Sequence, residues 1–195
     1  MSLSLARCVE VVARLLEGCG PLEPVRLCMG DGGVQAEVRA SGPAASARMA
    51  RLAAATGSVA AGQTDGRDDG VLTADLHDDV VLVAAVDAPV RGCGRAPRAT
   101  STSAVVGLLQ ALAPWAAALD HSVLPGAQLW VEDDGRDFTV RLLVTATHDG
   151  DLERVAAAAG TGLERVRAQR TDSGLDGAGR LPGGRTVHLG VVCLS

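Results

Sequence analysis

Four segments of this chain recur in the same order at a nearly constant spacing. Leu5, Val9, Val12 and Leu16 return as Leu108, Leu112, Trp115 and Leu119, each 103 positions on. LCM of 27–29 returns as LWV of 129–131, and the turn DGG that follows finds its match in DDGRD of 133–137. LAAATG of 52–57 returns as VAAAAG of 155–160, and LHDDVVLVAAV of 76–86 aligns with LPGGRTVHLGV of 181–191 at an offset of 105. Order kept across four matches predicts a tandem duplication. Both halves must then fold to one plan, which restricts the architecture more than any composition does.

The first half supplies the plan. Leu5, Cys8, Val9, Val12, Leu16 and Cys19 share one helical face, and Arg7, Glu10, Arg14 and Glu17 share the other at i,i+3 and i,i+4 spacing, the mark of an amphipathic surface helix. PVRLCM and VQAEVRA flank GDGG, apolar strands around turn residues that predict a hairpin with Val34, Ala36 and Val38 inward. ASARMARLAAAT follows as a second helix, with Met49, Leu52 and Ala53 buried and Gly57 as its C-terminal glycine. A short strand near 58–63, a loop TDGRDDG and a hairpin ending in VVLVAAV, 80–86, complete the unit. Seven apolar residues without alternation predict a strand buried on both faces.

In the second half Val105, Leu108, Leu112, Trp115 and Leu119 form the helical stripe of an eighteen-residue stretch, 102–119, that carries no charge. Its other side holds Ser103, Gly107, Gln110, Ala111 and Ala117, and a helix this apolar is expected to be covered. The predicted fold is α+β: two tandem helix-strand-strand-helix-strand-strand repeats forming an antiparallel sheet, with helices on one face and a pseudo-twofold relation. The boundaries are 1–88 for the first repeat, 89–102 for a linker rich in Pro, Gly and Arg, and 103–195 for the second repeat.

Composition narrows the chemistry. The chain has no Lys, so a P-loop and Schiff-base catalysis are excluded. Asn, Ile and Tyr are also missing and Phe138 stands alone, a usage expected of a high-GC bacterial genome. A net charge of −5 disfavours wrapping duplex nucleic acid. Arg7, Glu10 and Arg14 interrupt the N-terminal apolar pattern, so no signal peptide is read there. The apolar run at 104–119 is too short for a membrane span. Five Cys without a C-x-x-C predict reduced thiols in a cytoplasmic protein.

Few constellations carry chemistry. His77-Asp78-Asp79 and His148-Asp149 with Asp151 offer metal-ligand types, but they fall at turn or helix-start positions that favour Asp anyway. The 65–70 loop has Arg67 where a calcium loop needs Asp or Asn. GAGRLPGG, 177–184, leads into a strand rather than a helix and is not a dinucleotide fingerprint. Cys8, Cys19 and Cys193 read as core. Cys93 lies between Arg91 and Arg95, which lower a thiol pKa, and is the candidate reactive thiol. Alternation on the strands sends Trp130, Arg141, Arg165, Arg167 and His188 to the helix-free face, a composition suited to anionic or planar groups.

On helix 3, Gly107, Gln110, Ala113 and Ala117 form the candidate partner surface. The outward stripe Arg7, Glu10, Arg14, Glu17 becomes Gln110, Ala113, Ala117, Asp120 when 103 is added. The chain is thus read as a non-enzymatic binding or assembly protein, a homodimer or a partner of another protein, without cofactor or metal. The alternative is a small-molecule binder or enzyme using the groove between repeats.

Overall fold

The computed structural model describes residues 4–19, 25–30, 35–40, 45–57, 71–76, 80–86, 102–120, 124, 126–133 and 137–193. The elements run α1 (Leu5–Cys19), β1 (Val25–Gly30), β2 (Gln35–Ala40), α2 (Ala45–Thr56), β3 (Val71–Leu76), β4 (Val80–Val86) and α3 (Thr102–Asp120). They continue β5 (Gln128–Asp133), β6 (Phe138–Ala146), α4 (Leu152–Ala159), β7 (Glu164–Thr171), β8 (Gly174–Arg180) and β9 (Thr186–Cys193). The fold is mixed α+β.

Among the described residues nine strands form one sheet in the order β3-β4-β2-β1-β5-β6-β9-β8-β7. The central contact is antiparallel, β1 on β5. The prediction of an antiparallel sheet is corrected at two places, since β2 pairs with β4 and β6 with β9 in parallel. The β2–β4 pair is bridged by α2 and the outer strand β3, and the β6–β9 pair by α4 and the outer strands β7 and β8, so each time the chain returns beside its hairpin in the direction it left. The second half also departs from the predicted order of elements: β7 is a third strand after α4. It sits at the sheet edge, paired only with β8 among the described residues.

Side-chain alternation sends one face of the sheet into the core. Leu27, Met29, Leu129, Val131, Val140, Leu142, Val144, Val187, Leu189 and Val191 are buried and join residues of all four helices in a single apolar cluster. The helices therefore cover one face. Burying each such Leu or Val contributes about 1.5–3 kcal/mol before chain entropy is counted. The predicted faces of α1 and α2 hold: Leu5, Cys8, Val9, Val12, Leu16 and Cys19 are buried, as are Met49, Leu52 and Ala53. Gly57 takes φ +67° beyond α2, the left-handed cap that glycine adopts without strain.

α1 and α3 lie side by side and antiparallel. The Leu5 and Ala6 N–H groups donate to the Asp120 carboxylate at 2.7 and 3.1 Å, while Ser4 Oγ accepts from Arg7 N–H at 3.0 Å. Together they satisfy three of the donors that a helix start leaves unpaired. Asp120 was expected on an outward stripe; it is instead half-buried against α1, because a carboxylate at the end of one helix meets the positive N-terminus of the other.

The predicted strand near 58–63, the 65–70 loop, His77-Asp78-Asp79, most of the linker with Cys93, and Val34 lie outside the described residues, as do the side chains of Ala36, Val38 and β4. Among the described residues no helix is long and apolar enough to cross a membrane.

Candidate functional site

Two surfaces collect the residues singled out from the sequence. The first is the helix-free face of the sheet. Strand register sets Arg167, Ala178, His188, Arg141, Trp130 and Cys28 side by side in one row across five strand pairings. Arg167, Arg141 and His188 are exposed and Trp130 is half-buried. A shallow hollow of about 260 Å³ opens among Trp130, Glu132, Thr139, Arg141 and Leu143. Glu132 places a carboxylate in it, so the hollow is of mixed charge.

Arg165 does not belong to that row. Its φ is +52° and the β7–β8 register shifts between Glu164 and Arg167, so the alternation that carried Arg165 onto the face is broken at a bulge. Every residue of β7 is exposed, as befits an edge strand guarded by a bulge and by Arg side chains. The glycine-rich 177–184 stretch is explained by the same contact. A Cβ on Gly177 would stand 2.5 Å from the Arg167 carbonyl oxygen and one on Gly179 2.9 Å from Leu163 Cβ, while Gly184 turns between β8 and β9 at φ +83°.

The acidic cluster before α4 pairs with cations on the surface: Asp149 with Arg170, and Asp151 with Arg154 at 3.1 Å. Asp151 occupies the N-cap position of α4 but makes no capping bond. Among the described residues no three His, Cys, Asp or Glu side chains converge as a metal site would require. Cys8 and Cys19 are buried, and burial pushes the Cys8 thiol up to about 12. Cys193, expected in the core, is half-buried because it ends β9, and Cys28 on the sheet face has the same exposure.

The second surface is the outside of the helix layer. α1 is charged there, with Arg7 to Glu10 at 3.4 Å and Arg14 to Glu10 at 3.7 Å. α3 beside it exposes Gly107, Gln110, Ala111, Pro114 and Ala117. Ala113 is not fully outward as expected: it is half-buried and packs against the core, since it faces α1 across the seam that also holds Ala13 and Leu109.

On the flank of α3 away from α1 lies a groove of about 630 Å³. One wall is the small-residue stripe Ala104, Gly107, Ala111 and Pro114; the other is Phe138 with the turn that joins β8 to β9, Leu181 to Arg185, and Gly162 adjoins. The turn is held by Leu181 N–H to the Arg185 carbonyl at 2.9 Å and by Gly184 N–H to the Leu181 carbonyl at 2.7 Å. Arg185 reaches Asp137 Oδ1 at 2.9 Å and lies 5.9 Å over the Phe138 ring. That guanidinium, with the Phe138 N–H, holds the Asp137 carboxyl below the ordinary carboxylate range. Trp115 lines the groove, is only 4% exposed, and its Nε1 has no hydrogen-bond partner.

Helical spacing assigned Trp115 to the core stripe, which is correct. That its flank borders a groove depends on β8, β9 and Phe138, which no local pattern links to α3. No family model matches this chain, and neither a curated protein nor a solved structure matches it.

Proposed function

We propose that this chain is a non-enzymatic binding or assembly protein built from a duplicated α+β unit, 1–88 and 103–195 around a linker at 89–102, and that it self-associates through the outer face of α3. The duplication is supported by the β1–β5 register. Leu27 pairs with Val131, Cys28 with Trp130 and Met29 with Leu129, while 27–29 correspond to 129–131. Leu27 and Met29 thus each face the other's counterpart and Cys28 faces its own, Trp130, the exchange that a pseudo-twofold axis between β1 and β5 would produce. The parallel pairs β2–β4 and β6–β9 fall in corresponding places.

One observation carries the binding role. Two corresponding helices lie side by side, and only α1 dresses its outer face with ion pairs; α3 leaves Gln110 and Ala117 exposed where α1 has Arg7 and Arg14. A water-facing helix without charges loses the pairs that stabilise and solubilise it, so an uncharged face suits contact with a second copy. Five Cys without a C-x-x-C support a reducing, cytoplasmic setting for it.

The test is the double variant Gln110→Arg/Ala117→Arg, both exposed positions that leave the half-buried Ala113 alone. Light scattering should give a dimer mass for the parent chain and a monomer mass for the variant, with folding intact by circular dichroism. A monomeric parent, or a variant of unchanged mass, sinks the reading. A second reading, an anionic ligand on the sheet face, is favoured by the row of Arg167, His188, Arg141 and Trp130; Arg141→Gln should then weaken binding of an anionic dye.

A further inference from the structure

The geometry points to a small-molecule site in the groove between α3 and the β8–β9 turn, taking an apolar ligand that carries one hydrogen-bond acceptor, a carbonyl or carboxylate oxygen. This inference does not rest on self-association: Gly107, Ala111 and Pro114 border both surfaces, but Gln110 and Ala117, the positions that test self-association, lie outside the groove lining.

Size and lining come first. A groove of about 630 Å³ falls in the range of roughly 300–1,000 Å³ that small-molecule sites occupy, and such sites are mostly apolar with a few placed polar groups. On α3 the wall sets the bulk of Leu108 and Trp115 beside small residues that leave room for a ligand. A Cβ built on Gly107 would meet nothing within 4 Å, and Ala104 and Ala111 add one methyl each. Phe138, Leu181 and Pro182 supply apolar surface opposite.

The polar group is the second observation. Trp115 Nε1 is the sole buried side-chain polar atom without a partner among the described residues. Buried donors are almost always satisfied, and an orphan is costly. Gly162, which also borders the groove, lies against the indole edge that bears this buried N–H. A Cβ there would stand 3.4 Å from Trp115 Cδ1, the carbon bonded to Nε1, and the glycine sits at φ +77°, where a side chain is strained. A ligand oxygen reaching this edge would accept the indole N–H while its apolar body filled the small-residue wall. Arg185 at the rim adds a guanidinium, already engaged by Asp137 at 2.9 Å, so the indole N–H is the donor that selects the acceptor.

The test uses two matched probes, 2-naphthoate and naphthalene, titrated against the full chain by calorimetry or probe fluorescence. The parent chain should bind 2-naphthoate saturably at one site. Trp115→Phe should weaken 2-naphthoate about tenfold relative to naphthalene, the worth of one hydrogen bond to a charged group. Ala111→Arg, an exposed wall position, should abolish binding of both probes without lowering the melting temperature. Absence of saturable binding, full binding to Ala111→Arg, or a Trp115→Phe loss that is equal for both probes would each overturn the proposal. The probe ratio keeps the Trp115 test readable even if that variant is less stable, since lost packing affects both probes alike.

Discussion

Asp120 and Cys8 show how single side chains hold the helix layer together. Asp120 closes α3 and accepts two N–H groups from the first turn of α1, a long-range cap of a kind that contributes about 0.5–2 kcal/mol and fixes how the two helices slide against each other. Cys8 is fully buried, and burial, with a smaller contribution from Cys28, raises its thiol from 9.0 to about 12; burial raises Cys19 as well. A raised folded-state pKa means that the unfolded chain releases the proton first. Stability is then fully present below pH 9.0 and falls as pH climbs toward 12. With no Lys and no Tyr in the chain, thiols are the only side chains that ordinarily titrate in that window. Urea unfolding at stepped alkaline pH should therefore show a decline of at most ~1.4 kcal/mol per pH unit for each such thiol. The slope should be shallower in Cys8→Ala; equal slopes in the two chains would mean that Cys8 is not the source.

At the scale of elements, glycines separate positions set by packing from positions set only by local conformation. Gly174 opens β8 at φ +146°, and a Cβ there would lie 1.9 Å from the Val191 carbonyl oxygen; Gly107, inside α3, meets open space. Gly174→Ala should destabilise by at least ~2 kcal/mol, since backbone must move as well as strain. Gly107→Ala should stabilise by roughly 0.5–1 kcal/mol, the helix-propensity difference. Thermal melts of the two variants check both signs; a neutral Gly174→Ala would mean that β8 and β9 approach less closely. β7 illustrates the opposite case. Its residues are exposed on both faces, so the alternation of Arg165, Val166, Arg167 and Ala168 marks no buried face, and its Arg side chains and bulge defend an edge rather than build a core.

For the molecule as a whole, one sheet and one apolar cluster span both halves, through β1 on β5 and α1 against α3. Unfolding should be a single cooperative transition, with far-UV circular dichroism and Trp emission from Trp115 and Trp130 changing together; two separated transitions would show the halves to be independent. Much of this architecture was legible locally. The face of α1, the extent of α2 with Gly57 beyond it, the β1–β2 hairpin and the alternation of Leu129 and Val131 against Trp130 all follow from spacing within a few residues, where the 3.6 and 2.0 periodicities act directly. The parallel pairings β2–β4 and β6–β9, the edge position of β7, the capping of α1 by Asp120 and the groove beside Trp115 did not. Each of these depends on which segments meet across the fold, between residues up to 115 positions apart. Local periodicity determines which face of an element seeks burial; only the packed structure decides which partner covers it and which edge is left with a donor unpaired.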